Sequence, residues 1–272
     1  MLNQSTAIIL FAVLSLALLA AFSGCAYYTD QMSAERMQNG YTMVLPGIEG
    51  PDRFNSNIAQ GLENGGVRTA IEVHDWTTGR AWNFLTHLQD IERNRQQARI
   101  LARRIIEYQD QYPGRPVHLV GHSGGAGLIL LTLEALPADR RISSVILLAP
   151  AVLPRFDLTT ALTTTDSGIW NFHSLGDVPL LIIGTSLAGT IDRQFSFGSG
   201  AVGFKLPKAA SDETRRLYEA KLHQIPFRFR MISRGNLGGH FGWTTKAFAR
   251  DYLAPIIREN SEYTHSGHKL RF

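Results

Sequence analysis

From Tyr41 onward, short apolar runs that close on glycine, proline or a small polar residue alternate with longer stretches of helical periodicity. This rhythm constrains the fold more than any other feature, because strands that alternate with helices close into βαβ units around a parallel sheet. Strands are expected at 41–45, 69–73, 117–120, 145–148, 169–172 and 227–232. The longest helix is expected at 86–111, where Leu88, Ile91, Ala98, Leu101, Ile105 and Tyr108 recur at threes, fours and sevens. A second is expected from Gly125 to Leu136, stopped by Pro137. On the long helix Arg95, Arg99 and Arg103 form a charged stripe, read as a solvated face with anionic headgroups as the alternative.

A single Cys in 272 residues excludes an intramolecular disulfide framework and a cysteine-rich zinc site. With 44% hydrophobic and 18% charged residues the chain has the material for a packed core. A net charge of +4 without a recognised nucleic-acid motif gives no reason to expect nucleic acid as a partner. One domain is expected over 38–260, with a polar tail at 261–272. The stretch 184–208, rich in Gly, Ser and aromatics without periodicity, is expected to be a long irregular insertion.

Residues 1–24 carry no charge, and 7–22 are almost wholly apolar. As a helix that run reaches about 24 Å, short of a ~30 Å hydrocarbon core and of signal-peptide length. It ends Ala21-Phe22-Ser23-Gly24-Cys25, which resembles the lipobox of bacterial lipoproteins, although no Lys or Arg precedes it and Phe22 stands where Leu is common. The resemblance implies lipidation at Cys25. Cleavage near Ser23 and an uncleaved membrane anchor are the other readings, and residues 25–37 then form a tether. The expected location is the cell envelope, outside the cytoplasm, held to a membrane through this segment.

Gly121-His122-Ser123-Gly124-Gly125 lies directly after an expected strand and before an expected helix. A serine at such a turn sits in a strained backbone that only small neighbours permit, with its hydroxyl above the sheet. Serine needs a histidine to take its proton and a carboxylate to orient that histidine. His240, in Leu237-Gly-Gly-His-Phe-Gly242, is the best placed base. His118 and His173 fall within strands, His122 is expected to pack or hydrogen-bond locally, and His265 and His268 lie in the tail. For the acid, Asp177 follows the strand at 169–172, with Asp157 and Asp192 as alternatives. Oxyanion donors are expected at the N–H groups of Gly124 and of Ile48, beside Gly47, in the turn that ends the first strand.

In this order (Pro46-Gly47, Ser123, Asp177, Gly239-His240) the chain resembles the α/β-hydrolase fold over about residues 41–257. The resemblance implies a mostly parallel sheet with helices on both faces and a site at the carboxyl ends of the strands. The turn is Pro-Gly where many members have His-Gly, and 150–169 is too short for a large lid. The implied activity is that of a serine hydrolase cleaving a carboxylic ester, or a related acyl bond, through an acyl-enzyme, without metal or organic cofactor. The competing expectation is a membrane-tethered, non-catalytic binding protein on the same fold. Trp76, Trp82, Phe195, Phe197 and Trp243 suit either an apolar acyl group or a core, so small-molecule and lipid esters both stay open.

Overall fold

Five of the six expected apolar runs become parallel strands, and the sixth strand arises one segment earlier than expected. The computed structural model describes residues 31–47, 50, 53–77, 90–177 and 198–261. The strands are β1 (Tyr41–Leu45), β2 (Ala70–Val73), β3 (Val117–His122), β4 (Ser144–Leu148), β5 (Ile169–His173) and β6 (Leu222–Pro226). All pair in parallel in the order β2-β1-β3-β4-β5-β6. Described helices are α1 (Ala34–Asn39), α2 (Arg53–Asn64), α3 (Ile91–Gln111), α4 (Gly124–Ala135), α5 (Thr159–Thr164), α6 (Ser199–Val202), α7 (Asp212–Lys221), α8 (Lys246–Phe248) and α9 (Ala254–Ser261). A π turn (Ala249–Leu253) joins the last two.

Alternation along the strands sends side chains to two cores. Met43, Leu45, Leu119, Val145 and Leu147 pack with Ala98, Leu101 and Ile105 of α3, Leu130 and Leu133 of α4, and Leu162 of α5. Val44, Ile71, Val120, Ile146, Leu148 and Phe172 pack on the opposite face with Ile58 and Leu62 of α2, Phe248 of α8, and Ile256 and Ile257 of α9. Both faces are covered by helices, which is why the central strands read as continuous apolar runs. α3 starts at Ile91, where the Asp90 carboxylate accepts the Arg93 N–H at 2.9 Å. Residues 86–89 of the expected helix lie outside the described residues.

The last strand corrects the sequence reading. Residues 227–232 alternate aromatic and arginine as a strand would, but Phe229–Arg234 forms a 3₁₀ helix that buries Met231. The pairing strand is Leu-His-Gln-Ile-Pro, an edge strand in which only Ile225 is buried, so its apolar pattern is weak. Its Pro226 is tolerated at the end of an edge strand, where the missing N–H breaks no ladder. The expected insertion is also corrected in part. Residues 184–197 lie outside the described residues, whereas 198–204 enter the core through α6 and the turn after it, with Ser199, Ala201 and Phe204 buried. Gln224 of β6 ties this segment down by accepting the Phe204 N–H at 2.6 Å and donating to the Phe204 carbonyl at 2.8 Å.

Cys25 and residues 1–24 lie outside the described residues, as do 25–30 of the expected tether and 262–272 of the expected tail. Among the described residues no helix is long and apolar enough to cross a membrane. Because β2 and β3 flank β1 on opposite sides, the strand order reverses beside β1. The carboxyl edge there is the crevice where open α/β sheets bind ligands.

Candidate active site

Ser123 follows β3 and caps α4 with φ +53° and ψ −117°, one of two described non-glycine residues at positive φ. Two close approaches build this turn. A Cβ at Gly121 would stand 2.7 Å from the Ala126 backbone, and one at Gly125 would stand 2.3 Å from the Pro46 carbonyl oxygen and 2.4 Å from that of Leu45. Glycine at both positions therefore lets α4 start directly over the sheet and against the end of β1. The Ser123 N–H donates to the Leu148 carbonyl at 2.9 Å. Gly124, as the first residue of α4, has an N–H with no carbonyl in its own helix to bond, facing the carboxyl edge. The facing turn is braced by Trp76, whose indole N–H donates to the Pro46 carbonyl at 2.7 Å. Ile48 lies outside the described residues, and Gly47 is described at the end of that turn.

Asp177 ends a 3₁₀ turn (Leu175–Asp177) after β5 and is buried. His240 opens another (His240–Thr244), in which Trp243 is a core residue beside Phe172 and Phe248. The His240 Nδ1–H donates to Asp177 Oδ1 at 2.5 Å, across 63 residues of sequence. That bond leaves Nε2 as the free basic nitrogen, since a carboxylate only accepts. The two turns meet through glycine: a Cβ at Gly176 would stand 2.5 Å from the Gly238 carbonyl oxygen. Gly238, at φ +83°, is held by its N–H donating to Asn236 Oδ1 at 2.9 Å, and Asn236 is itself fully buried. The second carboxylate oxygen, Asp177 Oδ2, has no hydrogen-bond partner among the described residues and faces the backbone of Gly200.

His122 joins the serine turn to the histidine turn. Its Nε2–H donates to the His240 carbonyl at 3.1 Å, and the two rings lie 4.6 Å apart. Phe241 packs against both rings, at 5.7 Å from His122 and 5.2 Å from His240, and stacks on Phe54 of α2 at 4.6 Å. Among the described residues no hydrogen bond joins the Ser123 hydroxyl to His240; Ser123 and His240 are linked through His122 and share the carboxyl edge. A cavity of about 450 Å³ opens beside the pair, lined by Asp177, Leu237, His240, Phe241 and four glycines; Ser123 is not among its walls.

The remaining candidates separate cleanly. Asp157 is exposed and accepts the Thr159 N–H at 2.9 Å, a local turn just before α5 that does not reach His240. Asp192, Trp82, Phe195, Phe197, His265 and His268 lie outside the described residues. His118 is buried between Ser144 and Ser261, and His173 stands half-buried at the end of β5. Sequence reasoning missed Gly176 and Asn236, whose roles exist only where two distant turns touch.

No family model and no curated protein sequence matches the chain. Among solved structures it is similar to Aspergillus fumigatus lipase B, at 10% identity and a TM-score of 0.52, over 84% of this chain and 54% of that one. The chain thus spans about half the length of that lipase. It also matches a dienelactone hydrolase-like promiscuous phosphotriesterase from metagenomic libraries, at 16% identity and a TM-score of 0.46, over 81% and 86% of the two chains. A Trichoderma reesei cutinase in complex with a phosphonate inhibitor matches at 13% and 0.44, over 92% and 85%. The parallel sheet, the helices on both faces and the lipase B likeness define the α/β-hydrolase fold.

Proposed function

We propose that this protein is a serine hydrolase that cleaves a carboxylic ester or related acyl bond through an acyl-enzyme. The reading is carried by the 2.5 Å contact of Asp177 with His240 at the edge where Ser123 is held at positive φ. In this scheme Ser123 Oγ attacks the substrate carbonyl while its proton passes to His240 Nε2. Asp177 keeps the proton on Nδ1 and stabilises the imidazolium that forms. The developing oxyanion is received by the N–H of Gly124 and by that of Ile48 in the facing turn. Collapse breaks the bond to the leaving alcohol, which takes the proton from His240, and water then releases the acid by the reverse sequence.

A fluorophosphonate probe tests this directly. The parent protein is expected to be labelled and Ser123→Ala is not. Equal labelling of both would remove Ser123 from the chemistry, and a folded parent that takes no label would favour a binding protein. A series of p-nitrophenyl esters of increasing chain length then assigns the acyl group.

A further inference from the structure

We propose that the carboxyl edge around the Asp177–His240 pair is a membrane-docking face that seats on a bilayer containing anionic phospholipid. Four of the five large apolar side chains most exposed among the described residues are at this edge: Leu175 at 71%, Phe229 at 84%, Ile232 at 44% and Leu237 at 77%. They are neighbours rather than scattered. The Phe227 ring packs on Gly238, next to Leu237, and lies 6.1 Å from the Phe229 ring. Leu175 adjoins Gly176, which meets the Gly238 carbonyl. Single exposed apolar residues are ordinary, but a contiguous set around a cavity marks an interaction surface.

Charge selects the partner. Residues 227–250 contain Arg228, Arg230, Arg234, Lys246 and Arg250 and no Asp or Glu, in a chain whose whole formal excess is +4. Arg234 and Arg250 pair with Asp251, whereas Arg228 and Arg230 are exposed and make no ion pair among the described residues. Apolar tips interleaved with guanidiniums match a lipid interface, where the tips enter the acyl boundary and the cations meet phosphates. A second copy of the chain fits poorly, since a two-fold contact sets this cationic stretch against itself.

Chain connectivity allows the same orientation. The Gln31 carbonyl accepts the Ile71 N–H at 2.9 Å, one residue past the amino end of β2 and two residues short of its carboxyl end. Eight residues, 23–30, separate Gln31 from the apolar run at 7–22 and can bridge at most about 28 Å. A chain attached through that run can therefore present this edge to the same bilayer. Delivery of a lipid acyl ester into the cavity beside His240 rests on the proposed hydrolase reading, but the docking itself does not.

The test uses the full chain carrying Phe229→Trp, with vesicles of phosphatidylcholine alone or mixed with phosphatidylglycerol, brominated in the acyl chains. Quenching of the added indole beyond that of the parent is expected with the anionic vesicles and is expected to weaken with salt. Combining it with Arg228→Gln and Arg230→Gln should lower partitioning roughly tenfold or more. A protein that binds vesicles with no added quenching is held by its N-terminal segment alone, and this overturns the proposal. Self-association that buries the new indole, seen by light scattering, also overturns it. Fluorophosphonate labelling of the same samples reads the hydrolase assignment separately.

Discussion

Gly176 and Gly238 touch backbone to backbone: a Cβ on the first would stand 2.5 Å from the carbonyl oxygen of the second. This contact sets the distance between the acid turn and the histidine turn. Gly176→Ala must push them apart, and a 1 Å misplacement costs about 100-fold in rate. The expected result is a kcat about 10- to 100-fold lower on p-nitrophenyl esters, with overpacking that lowers stability by roughly 1–3 kcal/mol. At Gly239 an added Cβ has nothing within 4 Å, so Gly239→Ala should leave the unfolding midpoint in place. An unchanged kcat in Gly176→Ala would show that the spacing of the turns does not matter.

Asp177→Asn preserves the size of the buried side chain but cannot hold the proton on Nδ1 of His240 as a carboxylate does. The corresponding change in the Ser-His-Asp template lowers kcat by about 10⁴, and a loss of that order is expected here. Asp157→Asn should change kcat by less than about twofold, because its carboxylate only closes a local surface turn before α5. Full activity in Asp177→Asn would detach the contact seen with His240 from the chemistry.

The elements of this edge differ in how far the sequence reveals them. Ser123 was legible because a strand, two glycines and a helix leave one backbone geometry for the residue between them, and φ +53° is that geometry. Asp177 and His240 were legible from their places just past apolar runs, although the run before His240 is a 3₁₀ segment and not the strand expected there. β6 was not legible, since an edge strand with one deeply buried residue has almost no apolar pattern to read. The contacts of Gly176 with Gly238 and of His122 with His240 were hidden for another reason. They join positions 62 and 118 residues apart, and nothing local distinguishes those residues from ordinary turn glycines or a strand-end histidine.

His122 is expected to act as a positioning residue. Its Nε2–H holds the His240 carbonyl at 3.1 Å and its buried ring supports the His240 ring. His122→Ala leaves that carbonyl without this donor, a loss of about 1–3 kcal/mol if the group stays buried. The predicted signature is a lower kcat with KM nearly unchanged, since the residue is not part of the cavity wall. His122→Gln, whose amide can donate from a similar reach, should recover part of the loss. Equal kcat values for Ala and Gln, both well below the parent, would mean that the ring and not the hydrogen bond is what matters.

His118 should make stability fall with acid in a window above that of the buried carboxylate Glu72. It is fully buried, and burial pushes its imidazole down to about 3. Ser261 donates its hydroxyl to the Ile257 carbonyl, so it can only accept from His118 Nε2–H, which leaves His118 Nδ1 to accept from Ser144. The native state therefore refuses a proton that the unfolded chain takes near pH 6.5. Unfolding binds that proton, and stability is lost as pH falls from about 6.5 toward 3, at about 1.4 kcal/mol per unit. Glu72 acts lower: burial raises it, but hydrogen bonds from His74 and Tyr41 and the nearby charge of Arg104 together hold it below its usual 4.5, so its contribution is lost only beneath that pH. Between pH 6.5 and 4.5 the parent should lose roughly 2–3 kcal/mol more than His118→Gln in urea unfolding. Parallel curves for the two proteins would mean that His118 is protonated, or reached by water, in the native fold.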